Sequence, residues 1–151
     1  MQVEVTLDDG TVVKRDLNQE LNISSALLDD EIQAFPGQLC WWSLLAAQAR
    51  AEREINEKTT KALEADLSLE LRNPLHIKTL QDEGYRITED LITSRIRSSE
   101  SWRTLNKEWS QARAKELKLD AIVRSFEAKH DLIIQKNADR RQEKRLDEFN
   151  K

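Results

Sequence analysis

An unbroken heptad ladder runs through the last third of the chain: Trp102, Leu105, Trp109, Ala112, Glu116, Leu119, Val123, Phe126, His130, Ile133 and Asn137 alternate at spacings of three and four. On an α-helix that spacing stacks side chains along one seam. Neither Gly nor Pro interrupts residues 102–151, and a helix over 101–146 would be about 69 Å long at 1.5 Å per residue. A chain of this size folded compactly has a radius of gyration of only about 15 Å. The ladder therefore predicts an elongated molecule whose apolar seam needs partners, and it points to assembly ahead of chemistry.

Composition agrees. Charged residues make up 34% of the 151 and aromatic residues 5%, as in long solvated helices with a narrow core. Three glycines and two prolines leave little turn chemistry. The net charge of -4 counts against a simple basic glove for nucleic acid. The single Cys40 excludes an intrachain disulfide and fits a reducing compartment. No apolar run approaches the roughly 20 residues that span a bilayer, so no membrane partner is expected. The strand-like N-terminus does not read as a secretion signal, and the expected location is the cytoplasm of a bacterial host.

Along the chain, residues 2–17 alternate apolar and polar. Asp8-Asp9-Gly10 is a hairpin turn signal. A three-residue loop with Gly10 in the left-handed region sets Val5 opposite Val13 and Glu4 opposite Lys14. Ser24 or Ser25 is expected to cap a short helix ending near Phe35, and Pro36-Gly37 to break the chain. A long helix then runs from about Gln38 to Leu71 with the stripe Leu44, Ala47, Ala51, Ile55, Lys58, Ala62, Ala65 and Leu69. Asn73-Pro74 starts a short helix ending at Gly84, Thr88 starts another, and residues 98–101 precede the final helix. The predicted fold is mainly α: a long antiparallel, coiled-coil-like helical hairpin with short helices at its turn and a small N-terminal β-hairpin. Residues 1–20 form the β-hairpin region and 21–151 an elongated helical oligomerisation and binding region. The final helix is expected to overshoot its partner and offer Trp102, Trp109, Leu119, Val123, Phe126 and Ile133 for oligomerisation.

No catalytic constellation is legible. His76 and His130 are far apart, no Cys/His cluster has zinc spacing, and the glycines form no phosphate loop. The chain reads as a non-enzyme with no cofactor and no metal site. His130 on the seam reads as a register-setting residue. Trp41, Trp42, Trp102 and Trp109 read as aromatic packing, with base stacking as the alternative. Two stretches are locally basic. One holds Arg95, Arg97 and Arg103; the other holds Lys136, Arg140, Arg141, Lys144 and Arg145. Solvated helix faces often look like this, but symmetry in a multimer can join such patches into a phosphate track.

The segment PGQLCWWSLLAAQARAEREINEKTTKALEADLSLELR, the motif RITEDLITSRI and the stretch FEAKHDLIIQKNADRRQEKR together resemble the phage recombination mediator family of the UvsY type, over roughly residues 25–145. The resemblance implies a homo-oligomer, ring-like in this family, that binds single-stranded DNA and helps load a RecA-like recombinase in place of the single-strand-binding protein. That places the chain in phage DNA recombination, repair and replication. The stretch EADLSLELR is acidic where the T-even phage archetype is basic, and the β-hairpin is an addition. The alternative from a different class is a structural coiled-coil assembly protein, a virion or scaffold component without nucleic-acid binding. Whether the basic stretches face a shared channel separates the two.

Overall fold

The structure, a computed structural model, describes residues 1–7 and 10–149, except for the side chain of Ser25. In chain order the elements are β1 (Gln2–Thr6), β2 (Val12–Asp16), α1 (Leu17–Leu21), a 3-10 turn (Ser25–Leu27), α2 (Leu28–Leu71), α3 (Pro74–Asp82), α4 (Glu89–Ser98) and α5 (Glu100–Phe149). The expected class is seen: α2 pairs with α5, and a small antiparallel β-hairpin stands at the N-terminus. The chain gathers into two compact units, Met1–Leu44 with Asp120–Lys151, and Leu45–Leu119.

In the first unit, Asp8 and Asp9 of the expected turn lie outside the described residues. The strand register is the predicted one, Val5 opposite Val13 and Glu4 opposite Lys14. The Lys14 ammonium sits 2.6 Å from the Glu4 carboxylate. Gly10 has φ +81, and its N–H donates to the Leu7 carbonyl at 2.9 Å. Val3 and Val5 point inward and are buried. Asp16 ends β2 and caps α1, its carboxylate accepting from the Asn18 N–H at 3.0 Å.

The Pro36-Gly37 break does not occur. Helix α2 runs through Pro36 as one element, and Ser24 caps only the 3-10 turn, without a side-chain bond. Proline withholds one helical hydrogen bond and crowds the preceding turn. Packing on both sides outweighs that: Phe35 and Trp42 both meet Phe126 of α5, with ring centroids 6.4 and 6.1 Å apart. Trp42 and Phe126 are completely buried. The Trp42 indole N–H donates to Glu20 of α1 at 3.0 Å.

The same continuity shortens the expected overshoot of α5, which is confined to the exposed residues after Arg140, the partner of Asp29 near the start of α2. Leu119 is buried within the second unit, and Phe126 and Ile133 within the first. These are core positions of the chain itself, not seam left open for another. Val123 is half-buried. The buried line of α5 here also takes in Ile122 and Lys129, whereas the seam residue His130 is exposed and stacks on Phe35 at 5.5 Å. Lys129 is drawn inward because its ammonium donates to the Glu20 carbonyl at 2.6 Å and meets the Glu31 carboxylate at 2.5 Å. One cation thus ties α5 to α1 and α2.

In the second unit the buried apolar residues are Leu45, Ala46, Ala49, Ile92, Ile96, Ala112 and Leu119. Polar links do much of the joining. Glu116 of α5 accepts from Arg53 at 3.0 Å and Arg50 at 3.4 Å, Lys115 meets Glu52 at 2.7 Å, and the Trp102 indole donates to Glu64 at 2.7 Å. These links turn the expected α2 stripe outward: Leu44, Ile55 and Leu69 are 61%, 64% and 71% exposed, and the alanines between them are exposed as well. Both short helices carry the expected caps, Asn73 accepting from the Leu75 N–H and Thr88 from the Leu91 N–H. Gly84 follows the first at φ +86.

Two outcomes are expected. Gly10→Val forces a β-branched side chain into the left-handed region at a cost of roughly 1–2 kcal/mol, so amide exchange in residues 2–16 should quicken while far-UV helicity holds. Glu31→Leu leaves the Lys129 ammonium buried without its carboxylate and should cost about 3 kcal/mol in chemical denaturation. Pairing it with Lys129→Met should recover most of that loss.

Candidate nucleic-acid interface

The eight cations read as phosphate contacts divide sharply. Lys136 and Arg140 serve the fold. The Lys136 ammonium reaches the Ile23 carbonyl at 3.4 Å, and the Arg140 guanidinium grips Asp29 of α2 with bonds of 2.7 and 3.1 Å. That fork holds the Asp29 carboxyl below its ordinary value of 3.8, with the Arg140 hydrogen bond as the main cause. It also holds the Arg140 proton more firmly. Arg141, Lys144 and Arg145 remain exposed on α5.

Arg95, Arg97 and Arg103 lie together in the second unit, around the α4–α5 corner. Helix α4 buries Ile92 and Ile96 and so turns Arg95 and Arg97 outward. Ser99 ends α4, its hydroxyl donating to the Ile96 carbonyl at 2.7 Å, and α5 begins at once. Across that corner the Arg103 side chain reaches back to donate to the Arg97 carbonyl at 3.3 Å. Arg97 and Arg103 thereby line one recess of about 430 Å³ with Thr93, Ser94, Ser98 and Asp90. The Ser98 hydroxyl donates to the Arg95 carbonyl at 2.8 Å, so the two guanidiniums and the hydroxyls of Thr93 and Ser94 form the donor set suited to phosphate oxygens. Asp90 is its one acid.

The sequence pattern did not single out Tyr85. It is 46% exposed, and the Arg95 guanidinium lies over its ring at 5.2 Å. An exposed ring beside cations can stack a base while its neighbours hold the backbone. The signal was the Tyr85-Arg86 pair just ahead of the Thr88 cap. The four tryptophans are less available. Trp42 is buried, Trp41 packs edge-on to it at 4.7 Å, Trp102 is held by Glu64, and Trp109 is half-buried beneath Arg113 at 5.6 Å.

Among the described residues, no group of three or more His, Cys, Asp or Glu side chains is placed to hold a metal ion, and no helix is long and apolar enough to cross a membrane. The chain matches no protein-family model, no curated protein and no solved structure.

The Arg140–Asp29 fork has a pH signature. A depressed carboxyl contributes stability above its unfolded value and loses that contribution as pH falls through the folded one. Thermal melts of the wild type should therefore decline as pH drops below about 3.8, and Asp29→Asn should decline less over the same window.

Proposed function

We propose that this chain is a self-associating single-strand-DNA-binding protein that acts as a recombination mediator, helping a RecA-like recombinase replace the single-strand-binding protein. The observation that carries the reading is the α4–α5 corner: Arg97 and Arg103 share a hydroxyl-rich recess, and Tyr85 lies beneath Arg95 on the same unit. Cations grip the phosphates and the ring stacks any base, so binding is indifferent to sequence. Self-association supplies many such corners at high effective concentration, which lets an acidic chain hold a polyanion. The resemblance of residues 25–145 to UvsY-type mediators names the biological setting. The outward apolar stripe of α2, with Leu44, Ile55 and Leu69 exposed, also suits a purely structural assembly protein, which is the second reading.

A single-strand DNA titration over salt decides between them. The wild type should bind, with an affinity that falls linearly in log-log form. Arg97→Glu with Arg103→Glu should weaken binding and shallow the slope by about 0.7 for each phosphate no longer neutralised, with helicity unchanged. Tyr85→Ala should weaken binding and leave the slope in place. A wild-type protein that binds no single strand at low salt belongs to the structural reading.

A further inference from the structure

The outer face of α5 in the first unit carries a second heptad stripe: Arg124, Glu127, Asp131, Ile134, Ala138, Arg141, Arg145 and Glu148, again at alternating spacings of three and four. All eight are exposed. Among the described residues, Arg124, Glu127, Arg141, Arg145 and Glu148 make no side-chain ion pair or hydrogen bond within the chain. Asp131 has only a 3.6 Å approach to His130. The inward charges of α5 differ: Glu116, Lys129 and Arg140 are all paired.

The order of these charges is self-complementary. Reflected about residue 136, Arg124 falls on Glu148, Glu127 on Arg145, Asp131 on Arg141 and Ile134 on Ala138. We propose that this stripe docks the α5 of a second copy, antiparallel, about a two-fold axis at residue 136. Each unlike pair then occurs twice, because a two-fold interface is isologous, and the stripe is about 36 Å long. Alternatives meet repulsion. A parallel, in-register pair sets every charge on its own kind. Sliding the antiparallel pair by one heptad sets Asp131 on Glu148 in one direction and Arg124 on Arg141 in the other. Like charges in the wrong registers are how helix pairs select one arrangement.

A groove of about 770 Å³ lies along the same edge, lined by Ile32, Phe35 and Leu39 of α2 and by Ile133 and Ile134 of α5. Glu127 and Asp131 also line it. The second copy would bring Arg145 and Arg141 to those acids and take Ile134, 55% exposed in the single chain, out of water. Arg141 and Arg145, read from sequence as phosphate contacts, are thereby assigned to self-association.

The inference deepens the self-association in the proposed function, and its test contains no nucleic acid, so DNA binding and docking fail separately. Native mass is measured for the wild type, for Glu127→Arg with Asp131→Arg, and for Arg141→Glu with Arg145→Glu, with helicity recorded for each. The first variant presents only cations along the central pairs and the second only acids. Each should halve the wild-type mass while keeping its helicity. Mixed in equal amounts they should associate again, since every central pair across the two chains is then unlike. Wild-type mass of a single chain, wild-type mass retained in either variant, or failure of the mixture to associate overturns the proposal.

Discussion

Phe126 is the residue on which the first unit depends. Its ring is fully buried between Phe35 and Trp42, which stand on opposite sides of Pro36-Gly37. For both to reach one ring, α2 must pass through the proline as a helix, and it does. Aromatic pairs gain energy beyond their buried area, and burying rings of this size outweighs one missing hydrogen bond. Once α2 begins at Leu28, its first turns can cover α5 beyond residue 119. The hairpin then has a body to lean on, which a two-stranded ribbon requires.

Around that aromatic contact the charges separate into two populations. The inward ones are consumed by the fold: Lys129 by Glu20 and Glu31, Arg140 by Asp29, Arg53 by Glu116. Others face outward without a carboxylate partner among the described residues, as Arg95, Arg97 and Arg103 at the α4–α5 corner and as the arginines of the alternating stripe of α5. A sequence with nearly balanced charge thus keeps two surfaces of distinct character, a cationic corner suited to phosphate and a self-complementary strip suited to a second copy.

Much is legible in the sequence. The hairpin register follows from its alternation and from Gly10, since period-two patterning admits one inward face. The caps at Asn73 and Thr88 are local chemistry, in which a side chain satisfies the N–H groups of its own first turn. The length of α5 follows from the heptads and from fifty residues without a helix breaker. Tyr85 stands beside Arg86 in the sequence, but its placement under Arg95 depends on how α4 leaves the preceding loop.

The sequence by itself determined that α3, α4, α5 and α2 beyond Gln38 are helical, how the hairpin pairs and which α5 residues alternate, because those depend on neighbours a few positions away. The tertiary structure decided which face of α2 looks inward. Its two candidate faces are similarly rich in alanine and leucine, and the choice falls to distant partners, Glu116 for Arg53 and Trp102 for Glu64. It also decided that Pro36 is carried through a helix and that Lys129, rather than His130, is buried. Each outcome turns on a contact spanning tens of residues, whose energy no local pattern records.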